Sequence, residues 1–302
     1  MAKILVAGLI NIETTIKMDG FPIDYQPVRY PFHGVNTTVS GVGFNVAKAL
    51  TTLGHEVRFA SLVGDDYAGQ LVRTVLEENG IASDYVLPVL DATPQSAILY
   101  DESGQRMINT DLKAIQETDY PLDKLDLADI ELAVLANINF SRAMLPIVKT
   151  VGIPIASDVH VIRSLDDDYN RDYMAQADIL FMSDSGLPVA PEAWVERLWE
   201  RYQTSVIGIG LGEKGALLAS YADRSIKRHP AKSLRPIVST VGSGDALFSA
   251  FVHGYLTEQD LSVAMQKAIL FAGYKIGTAS GSDGFITAEY LDELYATHYP
   301  SS

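Results

Sequence analysis

Apolar residues first gather in an unbroken run, Ile4-Leu5-Val6-Ala7-Gly8, which follows Lys3 and gives way to polar positions from Asn11. So short a run without alternation fits a strand buried on both faces. From Thr14 to about Thr38 the pattern changes: Pro, Tyr, Phe and Thr accumulate and no helical period survives. Pro22, Pro27 and Pro31 restrict this stretch to edge strands or loops. From Asn45 the period turns helical, with Val46, Leu50 and Leu53 on one face and Gly54 as the stop. Residues 57–63 read as the next strand. Asp66 then opens a helix whose stripe is Ala68, Leu71, Val72, Val75 and Leu76, and Gly80 closes it.

Strand and helix alternating in this rhythm predict a parallel sheet with helices on both faces. Residues 93–100 and 106–109, around Asp101-Glu102-Ser103-Gly104, predict a hairpin with an exposed tip. Further strands are expected at 132–135, 153–156, 179–182 and 206–209, and helices at 245–254, 261–273 and 287–295. No internal repeat, low-complexity tract or linker interrupts the chain. The expected architecture is α/β: a single domain over 1–302, with a doubly wound, mainly parallel sheet. A discontinuous β lid is expected from about 14–38 and 93–109.

Charge and composition narrow the function. The 302 residues carry 23 basic and 38 acidic side chains, a formal net charge of -15. That excludes a general binder of nucleic acid or anionic membrane, which needs basic patches, and leaves room for a local cationic pocket. The absence of cysteine removes disulfides, thiolate catalysis and zinc-thiolate sites. No apolar run approaches the ~18 residues of a membrane helix. The first run ends in Asn11 and Glu13 and reads as a strand rather than a signal peptide, so the expected compartment is the cytoplasm. The six histidines show no metal-ligand spacing.

The sharpest stretch is Ser239-Thr240-Val241-Gly242-Ser243-Gly244-Asp245, which runs into a helix. Glycines let successive amides turn toward one point, and a helix N-terminus adds positive potential there; together they suit a phosphate in transfer. An acid beside such a hole accepts a proton from a hydroxyl nucleophile. Asp245 in this place is equally a common N-cap.

The stretch resembles the C-terminal signature of the ribokinase-like (PfkB-type) carbohydrate kinases, roughly Asp-Thr-x-Gly-Ala-Gly-Asp. The N-terminal signature has its counterpart in Ser40-Gly41-Val42-Gly43-Phe44-Asn45 followed by Leu53-Gly54, and a third in Val63-Gly64-Asp65-Asp66-Tyr67-Ala68-Gly69. The resemblance implies Asp245 as catalytic base and Gly242, Ser243 and Gly244 as anion hole. It implies Thr240, Gly212, Lys214 and Gly215 beside ATP, and Asn11, Glu13, Gly41, Gly43 and Asn45 around the acceptor. Asp158 and His160 fall where relatives begin a substrate-binding segment. ATP and Mg2+ are the implied cofactors, and a monovalent cation is allowed.

The chain departs from the family pattern at several places, among them Gly210, which stands where the family turn has Thr. Ser239 replaces the first Asp of the signature, and Glu13 stands where an Asp is common. The Asn-x-x-Glu mark is absent at Ser183-Asp184-Ser185-Gly186, where Asp184 is a substitute magnesium partner and the metal ligands are otherwise unassigned. Gly210 to Gly215 spells G-x-G-x-x-G, but it lies late in the chain and a strand-like run follows, so a family turn beside ATP fits better than a dinucleotide fingerprint. Arg29, His33 and Arg106 lie on the expected lid and either meet substrate or solvate its face.

The implied activity is ATP-dependent phosphorylation of a hydroxymethyl group on a sugar or sugar-like small molecule. One alternative is a nucleoside kinase whose base stacks on Tyr25, Tyr30 and Phe32. Another is a ligand-binding homologue with weakened catalysis. A homodimer through the lid is the implied assembly.

Overall fold

The opening apolar run forms strand β1, Lys3–Ala7, in which every residue after Lys3 is fully buried. The structure is a computed structural model that describes residues 1–103, 105–278 and 280–300, so Gly104 of the hairpin tip lies outside the described residues. On one side of β1 lie β4, Glu56–Gly64, and β5, Val86–Leu90. On the other lie β8, Leu132–Leu135, β9, Ile155–Val161, β10, Ile179–Ser183, and β11, Val206–Gly210. These seven run parallel. The strands β12, Ala216–Ser220, and β13, Ser225–His229, extend the sheet antiparallel at its edge.

The side chains of β1 alternate between two cores. Ile4 and Val6 join Phe44, Leu50, Phe248, Phe251 and Leu270, whereas Leu5 and Ala7 join Leu145, Tyr173, Trp194 and Trp199. That is why the run had to be apolar throughout rather than alternating. Strand order reverses beside β1, because the chain first builds β4 and β5 on one side and then crosses to β8 on the other. Open α/β sheets bind ligands at the carboxyl ends of the strands at such a reversal.

Both stretches that lost the helical period enter a separate four-stranded sheet, ordered β3-β2-β6-β7. Its members are β2, Asn11–Lys17, β3, Val35–Ser40, β6, Gln95–Tyr100, and β7, Arg106–Asp111. The sheet starts earlier than residue 14, since the chain leaves the carboxyl end of β1 and enters β2 within three residues. The Asp66 carboxylate ties the second crossing down. It accepts Gly69 N–H at 2.8 Å as an N-cap, Thr93 N–H at 2.9 Å and the Thr93 hydroxyl at 2.6 Å. The end of β4, the helix Tyr67–Glu78 and the entry to β6 are thereby locked together.

Several boundaries differ from the expected ones. The helix expected from Asn45 starts at Val42, and the one expected from Asp245 starts at Ser243, because Gly41 and Gly242 are the N-caps. β9 begins and ends later than residues 153–156, so Asp158 and His160 lie within a strand. The helix Pro191–Tyr202 was not anticipated, although it buries Trp194, Val195, Leu198 and Trp199. Among the described residues no helix is long and apolar enough to cross a membrane.

A buried histidine pair joins the first strand to the helix Ser243–Thr257. His55 Nδ1 accepts Ala2 N–H at 3.3 Å, so its proton sits on Nε2, which donates to His253 Nδ1 at 2.9 Å. Burial, with each ring's positive neighbours, draws both pKa values down to about 4. A proton on either acceptor nitrogen breaks this chain. The pair is neutral when folded but binds protons near pH 6.5 when unfolded, so its stabilisation is complete above that pH and fades as pH falls toward 4. The urea midpoint of the wild type is expected to drop across this window more steeply than that of His55→Gln/His253→Gln. Parallel curves would remove the pair as the cause.

Candidate active site

Four segments meet beyond the carboxyl ends of the central strands: the start of β2, the helix Val42–Thr52, the end of β9 and the helix Ser243–Thr257. Asn45 Nδ2 donates to Asp245 Oδ2 at 2.7 Å across 200 residues of sequence. Asn45 is therefore not a cap; Gly41 holds that place and the Asn45 amide faces the acid. Asp245 is likewise not the cap of its own helix. Gly242 is, leaving the carboxylate of this third helical residue for other work. Gly242 has φ 74°, and a Cβ there would stand 2.4 Å from Gly281 O, so both conformation and space demand glycine.

Burial pushes the Asp245 carboxyl up, while the Asn45 hydrogen bond and the charges of His160 and Lys275 pull it back. A carboxylate with a raised pKa is a better proton acceptor. The Ser243 N–H closes the preceding turn onto Thr240 O at 3.2 Å, so this amide is committed. The amides of Gly244 and Asp245, second and third in the helix, have no intrahelical acceptor by helix geometry. Gly244 is exposed, so its N–H is open to an incoming anion.

Asn11 and Glu13 project from the same face of β2 and both are buried. Asn11 Nδ2 donates to Ser96 Oγ at 2.6 Å. Asn11 Oδ1 and Glu13 Oε1 are buried with no hydrogen-bond partner among the described residues. Burial holds the Glu13 carboxyl above its ordinary value, against the Ser40 hydroxyl and the Lys275 and Arg106 charges. A buried acceptor pair of this kind is costly unless something donates to it. Gly43 packs on Gly8, where a Cβ would lie 2.4 Å from the Gly8 carbonyl carbon; this contact brings the helix N-terminus against the end of β1.

Asp158 is nearly buried and accepts His160 N–H at 2.8 Å, with His160 at φ 57°. Both are close enough to Asp245 to act on its charge. At the carboxyl end of the neighbouring strands, Asp184 N–H donates to Gly210 O at 2.9 Å. Gly212, Lys214 and Gly215 form the turn between β11 and β12, closed by Leu211 N–H on Gly215 O at 2.8 Å. An antiparallel strand rather than a helix follows, so the G-x-G-x-x-G spelling is a hairpin turn. Thr240 and Lys214 are exposed.

On the lid, Arg29 is held by Asp19 at 2.6 Å, and Arg106 lies near enough to act on Glu13. The sequence reading gave no role to Ser40, Ser96 or Lys275, although Ser40 opens the N-terminal signature and Lys275 ends an otherwise apolar helix, Leu261–Lys275.

Residues 1–287 match the pfkB family of carbohydrate kinases. The chain belongs to this family. An ATP-dependent ribose-1-phosphate kinase from Halopiger xanaduensis is 26% identical over 309 residues, covering 98% of this chain and 100% of that one. Acarbose 7(IV)-phosphotransferase from an Actinoplanes species is 23% identical, covering 90% and 91%. Among solved structures, a microbiome-derived acarbose kinase superposes with a TM-score of 0.89 at 23% identity, covering 98% of this chain and 99% of that one. Ribokinase from Giardia lamblia does so with 0.83 at 18%, covering 98% and 99%. The nine-stranded sheet with its separate four-stranded one is thus the ribokinase-like fold. As a pfkB-family member the chain is an ATP-dependent carbohydrate kinase, a phosphotransferase with an alcohol as acceptor.

Proposed function

We propose that the chain transfers the γ-phosphoryl group of ATP to a hydroxymethyl group of a sugar or sugar-like polyol. The observation that carries this reading is the Asn45–Asp245 contact, with the buried Glu13 within electrostatic reach of Asp245 and both Glu13 Oε1 and Asn11 Oδ1 unpartnered. Neutral hydroxyls donate to such acceptors, and a primary alcohol is the least hindered group to reach a buried acid. Asp245 takes the hydroxyl proton, the oxygen bonds to the γ-phosphorus, and the bond to the β-phosphate oxygen breaks to release ADP. The Gly242–Gly244 turn and the helix N-terminus stabilise charge on the moving phosphoryl group. Thr240, Gly212, Lys214 and Gly215 flank the nucleotide.

Among the described residues no group of three acidic or histidine side chains is arranged to hold a metal ion. That suits a magnesium ion carried mainly by phosphates and water, which needs one or two protein carboxylates; Asp184 is the candidate. Bound this way it would neutralise phosphate charge. ATP as donor is consistent with a cytoplasmic reaction.

The lid aromatics Tyr25, Tyr30 and Phe32 are 90%, 74% and 86% exposed, so no packed slot for a nucleobase forms from them, which favours the sugar over the nucleoside. They fit instead a lid-to-lid contact between two copies, together with β7, whose six residues are all exposed. Light scattering is expected to give twice the chain mass, and Tyr30→Ser/Phe32→Ser the single mass. A monomeric wild type would reject the contact. The activity itself is tested by ATP turnover against a panel of sugars, amino sugars, sugar phosphates and nucleosides. Turnover with nucleosides alone, or with no acceptor of any class, would overturn the reading.

A further inference from the structure

Lys275 is completely buried at the end of the helix Leu261–Lys275. Its ammonium donates to Val241 O and, at 2.7 Å, to Ser280 O. The first carbonyl belongs to the turn immediately before Gly242. The second belongs to a segment that packs on the acceptor side: Ser282 Oγ donates to Val39 O at 2.9 Å, and Gly281 lies against Ser40 and Asn45. The same helix end holds the turn by its backbone, since Ile276 O accepts both Val238 and Ser239 N–H, at 2.8 and 3.1 Å. One side chain therefore bridges the two loops that flank the candidate base.

Carbonyl oxygens of two loops aimed at one buried point make a cradle for a monovalent cation. Here an ammonium fills it. Ser239 fits the same arrangement. Its hydroxyl accepts Val241 N–H at 3.2 Å within the turn and contributes no negative charge to pair an added ion. A second cation on these carbonyls would face the ammonium directly. Burial draws the lysine down to about 8, with Asp245, Asp283 and Glu13 opposing and Arg235 adding to the shift, so it remains mainly charged at neutral pH.

We propose that Lys275 is a built-in cation of the anion loop: a positioning residue that holds Gly242–Gly244 for the transferring phosphoryl and makes an added K+ or Na+ unnecessary. The inference rests on the kinase reading above. It differs from that reading in naming a residue outside both signatures and in excluding one cofactor the family resemblance allows.

The test is calorimetric binding of a non-hydrolysable ATP analogue with Mg2+, in tetramethylammonium chloride and in KCl, alongside thermal melting. The wild type is expected to bind equally in both salts. Lys275→Met, which keeps the chain length without the charge, is expected to bind ~10-fold or more weakly in both, the scale of losing a charged hydrogen-bonded group. Lys275→Ala, which leaves room at the carbonyls, is expected to recover affinity with K+ or ammonium. Wild-type binding that rises tenfold with K+, or Lys275→Met at wild-type affinity, overturns the proposal. If neither variant folds, the wild-type salt comparison decides alone. A wild type that binds no nucleotide in either salt overturns the kinase reading instead.

Discussion

Asp245→Asn is expected to fold, to bind ATP as the wild type does, and to lose phosphoryl transfer by ~10²-fold or more, the low end for removing a general base. The substitution is nearly isosteric. Its side-chain oxygen can still accept from Asn45 Nδ2, so the contact that places the residue survives. What disappears is the lone pair of a carboxylate whose burial has raised its proton affinity. The Asp245 charge also offsets that of the buried Lys275, so the melting temperature should hold or fall slightly. The readout is single-turnover transfer at saturating ATP and acceptor. Turnover near the wild-type rate would remove Asp245 from the role of base. A fall in nucleotide affinity of the same size would move it to phosphate binding.

Glu13→Ala is expected to raise the KM of the acceptor ~10- to 100-fold, the equivalent of one or two lost hydrogen bonds to a charged group, and to leave the KM of ATP within about twofold. The split follows from geometry. Glu13 reaches the crevice from the lid side, whereas the nucleotide candidates stand on the turn after β11 and on the loop before the helix Ser243–Thr257. Glu13→Gln keeps one acceptor oxygen and should fall between the two. Its carboxyl is held above the ordinary range by burial, so acceptor binding should weaken as pH falls and Glu13 takes up a proton. Equal changes in both KM values would show that Glu13 supports the site only structurally.

The nucleotide end of the site was more legible in the sequence than the acceptor end, and the reason is local. The turn Gly242-Ser243-Gly244 and the start of its helix are contiguous, so glycine spacing marks a candidate anion site before any fold is known. The acceptor end is assembled from distant pieces. Asn45 and Asp245 are 200 positions apart, and nothing in either one's surroundings says that they touch. Asp245 reads equally well as a helix cap; only the N-cap Gly242 removes that reading. His160 lies within β9, which extends past the point where its apolar run ends.

Local pattern alone determined the alternation of strand and helix, the two stretches that leave it, and the glycine turn before Asp245. These follow from side-chain period, proline geometry and backbone freedom, which act within a few residues. Tertiary structure alone decided which carbonyls meet Lys275, which acceptors on β2 remain unpartnered, and that Ser40 and Ser96 support Asn45 and Asn11. Lys275 shows the difference most sharply. By period it is one lysine closing an apolar helix, where a cation suits the dipole and water is the ordinary partner. Its burial comes from the loops around Val241 and Ser280 folding over it, and desolvating an ammonium is tolerable only where fixed carbonyl dipoles replace the water. That replacement depends on the meeting of segments with no sequence relation to one another.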